Sequence, residues 1–253
     1  MNEIIDIFQY SARTMSVKIN NQMVAKRAEP GNFVMIRFDE HGARLPFAIV
    51  ETDPEEGTLV IIIHRADGLE KIQSLLRRGN VLPDLLGPLG RPAPIDKNCK
   101  VLCCGDGAGF VPLLPIIKAL HEQGCEVLSV MSEQSDKTAC LSDEIENYSD
   151  RVILVSEEKL RETVRKEIRE RGIAKLWMSG PTSLMKDLEK IAREEGIAAS
   201  CILNMVMLDG IGLCGVCRVI VNGERKQTCI DGPVFDAHQV DFDQLLNRQR
   251  LFE

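Results

Sequence analysis

Val101-Leu-Cys-Cys-Gly105-Asp-Gly107-Ala-Gly109-Phe-Val-Pro112 opens as an apolar, strand-like run, breaks into alternating glycines and resumes as a helical pattern. Glycines there let the backbone approach a pyrophosphate, and the helix N-terminus supplies amide donors and positive dipole. The lesser alternative is a tight strand-to-helix turn without a ligand, which Asp106 supports by adding negative charge where a phosphate should sit. Its surroundings decide the fold. Strand-like runs at Val101–Cys104, Glu126–Met131, Val152–Val155, Lys175–Met178 and Ala199–Leu203 alternate with helical patterns at Val111–Gln123, Ser142–Tyr148, Glu158–Arg171 and Thr182–Glu195. That alternation predicts a parallel sheet with right-handed crossovers. A second glycine element, Met178-Ser-Gly180-Pro181, ends a later strand, and the carboxyl ends of such strands form a ligand crevice. The mostly charged Glu158–Arg171 reads as a solvated face with i,i+4 pairs.

Toward the N-terminus the pattern changes. Phe33–Phe38 and Leu59–Ile63 are short β-branched runs bounded by turn formers, which predicts a small β-barrel over residues 1–95. A short helix is expected over Leu69–Arg77, stopped by Gly79-Asn80. Leu86-Gly-Pro-Leu-Gly-Arg-Pro92 is expected to be a rigid loop without regular structure, with a domain boundary near Pro94–Asn98. The α/β domain would then span 96–203.

From 204 to 253 the chain turns Gly- and Cys-rich, then acidic. Asp209, Cys214, Cys217 and Cys229 are spaced x4, x2 and x11. Plant-type two-iron clusters use C-x4-C-x2-C and a later Cys, and a carboxylate can replace one thiolate. Zinc held by the same four residues is the alternative, although zinc ribbons usually show two CxxC knuckles. Nine cysteines, an odd number, argue against a disulfide framework. Cys99, Cys103, Cys104, Cys125, Cys140 and Cys201 read as core residues.

The chain has 253 residues and a net charge of −7, with no basic stripe, which argues against a nucleic-acid partner. It has no apolar run long enough to span a membrane and no signal-peptide pattern, so a cytoplasmic location is expected. Aromatics are only 4%, so a flat cofactor must be held by aliphatic walls and backbone.

The order of barrel, α/β domain and Cys motif resembles the ferredoxin reductase-type electron-transfer subunits. Among them are the electron-transfer subunit of dihydroorotate dehydrogenase B and, more similar still, the small subunit of NADH-dependent reduced ferredoxin:NADP+ oxidoreductase. Cys229-Ile-Asp-Gly-Pro-Val-Phe-Asp236 and His238–Asp243 match the acidic segment of the latter. The resemblance implies FAD, NAD(H) and a [2Fe–2S] cluster on Asp209, Cys214, Cys217 and Cys229. It also implies a larger flavin/iron–sulfur partner subunit, with ferredoxin reached through that partner. Arg44-Leu-Pro46-Phe47-Ala48 resembles the family's FAD motif without its hydroxyl, Arg44 pairing with the pyrophosphate. Gly68 stands where a Gly-Thr turn normally meets the pyrophosphate, and His64 ends the strand before it. Gly105, Gly107, Gly109 and Pro112 keep the nicotinamide loop pattern, while Asp106 and Phe110 depart from it, Phe110 being bulky where nicotinamide should approach flavin. Ser132-Glu133-Gln134-Ser135 lacks the Arg expected for a 2′-phosphate, which favours NAD(H) over NADP(H). Three readings follow: an electron-transfer subunit of an oxidoreductase, a non-catalytic conduit with a weakened nicotinamide site, or a zinc-binding interaction module.

Overall fold

A computed structural model describes residues 2–11, 14–64, 72, 75–132 and 142–250. The barrel strands are β1 Glu3–Gln9, β2 Thr14–Asn20, β3 Phe33–Arg37, β4 Leu45–Ala48, β5 Glu51–Asp53, β6 Thr58–His64 and β7 Asp84–Leu89. They pair antiparallel in two sheets, ordered β1-β2-β6-β5 and β4-β3-β7. Between the sheets lie Val17, Ile19, Val34, Ile36, Leu59 and Ile61, all fully buried.

One expectation needs correction here. The Leu86–Pro92 run is not wholly irregular: its first part is β7, paired with β3. Pro88 is tolerated because β7 is an edge strand whose pairing slips between Phe33 and Met35. The helix expected over Leu69–Arg77 lies largely outside the described residues, although Ile72 and Leu75 are helical.

The second sheet consists of β8 Lys100–Asp106, β9 Glu126–Ser132, β10 Arg151–Val155, β11 Lys175–Ser179 and β12 Ala198–Ile202, all parallel, in the order β10-β9-β8-β11-β12. Helices α1 Leu114–Glu122, α2 Ser142–Tyr148, α3 Glu157–Arg171 and α4 Thr182–Glu194 supply the crossovers. In α4, Leu184, Leu188, Ile191 and Ala192 recur at helical spacing and are buried. The charges of α3 act differently from expectation. Among the described residues only Arg171–Glu167 is an i,i+4 pair on this helix. Arg161 reaches Asp187 of α4 at 2.7 Å, while Arg165 and Arg169 reach Glu195 just beyond α4 at 3.2 and 2.8 Å. The two helices lie side by side, so the guanidiniums meet carboxylates of the next helix.

The C-terminal segment adds a hairpin, β13 Arg218–Val221 with β14 Glu224–Gln227, and a last helix, α5 Phe242–Gln249. Strand β15, Val234–Asp236, pairs antiparallel with β12 and so extends the parallel sheet by one edge strand. One apolar core joins all three regions: Phe33 and Met35 of the barrel, Leu102 and Met178 of the sheet, Cys217, Cys229 and Leu245 of the C-terminal segment.

Cys103, Cys104 and Cys201 are fully buried in the sheet, and burial pushes each thiol far above its usual range. The folded-state value exceeds the unfolded one, so this stability is complete below about pH 8.5 and lost as the pH rises. Unfolding free energy should fall by about 1.4 kcal/mol per pH unit for each thiol above that point. Denaturant titrations from pH 8 to 10 test this, and Cys201→Ala should remove the share of the slope that one thiol carries, about 1.4 kcal/mol per pH unit.

Candidate cofactor sites

At the carboxyl ends of β8 and β11 the two glycine elements meet. A Cβ at Gly109 would lie 2.5 Å from the Cα of Gly180, so neither backbone could stay in place if Gly109 carried a side chain. Gly180 itself has φ +136°, open to glycine alone. The loop leaves β8 as a 3₁₀ turn, Gly107–Leu113, and becomes α-helical only at Leu114. That geometry revises one expectation. Phe110 is fully buried among Val101, Cys103, Trp177 and Ile202, with its ring against Gly105, and does not stand where nicotinamide would approach. The Asp106 carboxylate accepts a hydrogen bond from the Ser132 hydroxyl on β9. Ser179, which ends β11 beside Gly180, is buried, and its Oγ has no partner among the described residues. An orphan hydroxyl beneath a glycine cradle fits the polar groups of a nucleotide. Ser179 lay within the quoted Met178–Pro181 element, yet no sequence signal marked it as a donor. Residues 133–135, on which the choice of NAD(H) over NADP(H) rests, lie outside the described residues.

A cavity of about 310 Å³ opens between barrel and α/β domain. Pro46, Phe47, Ala48 and His64 face it from the barrel, Val111 and Pro112 from the glycine loop, and Asn204 and Met207 from the run that enters the cysteine motif. The volume and the mostly apolar lining suit a flat aromatic ligand held by few polar groups. His64 is oriented by the Thr14 hydroxyl at 2.8 Å. The cavity thus gathers Pro46, Phe47, Ala48, His64 and Pro112, but not Arg44, whose Nε meets Asp84 Oδ2 at 2.5 Å on the half-exposed barrel surface. Gly105, Gly107, Gly109, Gly180 and Pro181 stand beside the cavity, not in its wall. Gly68 lies outside the described residues. Asn204 and Met207 escaped the sequence reading because they meet the barrel across long sequence separation.

The four proposed cluster ligands form two donor pairs. Cys214 N–H donates to Asp209 Oδ2 at 2.5 Å, and the Sγ atoms of Cys217 and Cys229 are 3.3 Å apart. The Ile211 amide also donates to the Asp209 carboxylate, at 3.0 Å. Gly212 has φ +86°, and a Cβ there would lie 2.7 Å from Ile230 Cγ1. Burial opposes the Asp209 charge, but the amides of Ile211, Cys214 and Gly212 outweigh it and hold the carboxyl below its usual range. Burial and the Cys217 contact push the Cys229 thiol up to about 12. Among the described residues no three His, Cys, Asp or Glu side chains converge on a single metal position. Two separate pairs of mixed thiolate and carboxylate donors fit a two-metal centre better than one zinc ion. Cys214 is exposed while Cys217 and Cys229 are buried, so one side of the motif faces outward.

Comparison with known proteins agrees with this geometry. Residues 204–241 match the model for the iron–sulfur cluster binding domain of dihydroorotate dehydrogenase B. A Thermotoga maritima protein described as a dihydroorotate dehydrogenase B (NAD(+)) electron transfer subunit homolog is 36% identical, over 98% of this chain and 90% of its own length. The electron transfer subunit from Geobacillus thermodenitrificans is 29% identical, over 90% of this chain and 93% of that protein. A chain of the NADH-dependent reduced ferredoxin-NADP oxidoreductase structure superposes with a TM-score of 0.90 at 34% identity, covering 99% of this chain and 93% of that one. Phthalate dioxygenase reductase, at 14% identity and a TM-score of 0.62, shares the fold.

Proposed function

The chain belongs to the family of dihydroorotate dehydrogenase B electron-transfer subunits, and from that membership we propose that it relays electrons between NAD(H), FAD and a [2Fe–2S] cluster for a larger flavin/iron–sulfur partner subunit. The observation that carries this is the cavity, because one apolar space touches the barrel, the glycine loop and the run leading into the cysteine motif. When bound, FAD supplies two-electron exchange with nicotinamide and one-electron exchange with the cluster. Phe47 and Ala48 would wall the flavin, with His64 as a polar neighbour. Gly105, Gly107 and Gly109, with Gly180 and Pro181 opposite, would admit the nucleotide and offer the Ser179 hydroxyl. Asp209 and Cys214 would hold one iron, Cys217 and Cys229 the other. Around that motif Val206, Leu208, Ile211, Leu213 and Ile230 are exposed, Leu213 by 83%. An apolar collar beside an outward-facing ligand suits a partner's docking face. The conduit reading loses its support from Phe110, which is packed in the core.

The purified chain should show flavin and two-iron absorption, contain iron and labile sulfide in equal amounts, and bleach with NADH. Zinc without sulfide would overturn the reading. Arg44→Ala should weaken FAD binding by about 1.5 kcal/mol, roughly tenfold, because Arg44 must leave Asp84 to reach a pyrophosphate. Unchanged FAD retention, measured by equilibrium dialysis, would leave Arg44 as a surface ion pair.

A further inference from the structure

Arg248 is buried on α5, yet no carboxylate faces it among the described residues; the charged or ionisable groups around it are Arg218, Arg225 and the Cys217 thiol. Its Nη1 donates to the carbonyl of Arg218 and its Nη2 to that of Val216, the two carbonyls that flank Cys217. Arg218 Nη1 donates to the Gly215 carbonyl at 3.3 Å, and Arg225 Nη2 lies 3.0 Å from where a Cβ on Gly215 would stand. Three guanidiniums therefore surround the 215–218 turn. A buried cation normally has a counter-charge, and two further cations beside it raise the cost of leaving it alone. The missing anion is one that none of the described carboxylates provides.

We propose that Arg248 is the internal counter-charge and loop clamp of the iron–sulfur centre, holding the Cys217 side in place and raising the centre's reduction potential. This rests on the two-iron reading above. A cluster held by three thiolates and a carboxylate is a net anion and gains one further negative charge when it accepts an electron. A fixed positive charge in a poorly screened position favours the reduced form. Arg218 and Arg225 are exposed, so solvent and salt screen their share. Arg248, buried and bonded to both neighbours of a ligand, has the larger effect. The bidentate grip on two carbonyls needs the guanidinium fork, which lysine lacks.

The test is an EPR-monitored redox titration of the holoprotein and its Arg248→Met, Arg248→Lys and Arg225→Gln variants, with iron release to a chelator timed in parallel. In Arg248→Met the ratio of reduced to oxidised cluster at a fixed poise should fall about tenfold, a midpoint about 59 mV lower. Arg248→Lys should stay near the parent midpoint but release iron several-fold faster, and Arg225→Gln should shift less than Arg248→Met. If Arg248→Met holds no cluster, the lysine variant decides: a parental midpoint with faster iron release supports the proposal, and no change in either overturns it. A parental midpoint in Arg248→Met overturns it, as does a lysine variant that falls as far as methionine. A parent chain without iron and sulfide would overturn the two-iron reading first and take the proposal with it.

Discussion

Replacing Cys229 with alanine is expected to abolish the two-iron spectrum, leave bound flavin in place, and cut electron delivery to the partner by at least about a hundredfold. Cys229 is buried 3.3 Å from Cys217, at the closed side of the motif. The buried Cys103, Cys104 and Cys201 lie on sheet strands and Cys125 just before one, so none is offered as a substitute ligand. NADH reduction of flavin should stay within about twofold, because the glycine loop and the barrel face of the cavity are untouched. Full iron content in Cys229→Ala would exclude Cys229 as a ligand. Loss of both flavin and iron would point to a folding defect, which far-ultraviolet circular dichroism would reveal.

Gly109→Ala should slow NADH-driven flavin reduction by about 10- to 100-fold while sparing FAD content and cluster reduction by dithionite. The added Cβ would sit 2.5 Å from Gly180 Cα, and backbone, unlike a side-chain tip, cannot swing away. The two loops must part, displacing the cradle that positions the nucleotide. Gly196→Ala is the matched control: it strains a residue at φ +70° but meets nothing within 4 Å. It should lower stability and leave NADH kinetics alone. Equal losses in both variants would show that the defect is general strain, not closure of the crevice.

Much of the α/β domain was legible because the period of its apolar residues changes cleanly between strand and helix. The barrel was less so. Pro88 and its flanking glycines read as a loop, since local propensity cannot reveal that β3 lends them an edge to pair with. Phe110 misled for a related reason. A 3₁₀ start to the helix turns residue 110 inward, whereas the glycine pattern suggested a residue at the loop tip. The spacing of Asp209, Cys214, Cys217 and Cys229, the proposed ligands, is local and could be read directly. Arg248 follows Cys217 by about thirty residues, and no spacing rule connects a helix in the tail to the carbonyls it holds. The pairing of Arg44 with Asp84 is equally non-local.

Strand β15 has a consequence for how the protein is made. It occupies the outer row of amides and carbonyls of β12 at Ser200–Ile202, a row that would otherwise template backbone from another chain. His238, just beyond β15, fastens the same edge through Glu189 at 2.8 Å and the Ile197 carbonyl at 2.9 Å. None of these contacts involves a proposed cluster ligand. Docking of β15 can therefore shield the sheet before any iron is delivered. Chains in which β15 has docked are then protected from clumping together while they wait for metal.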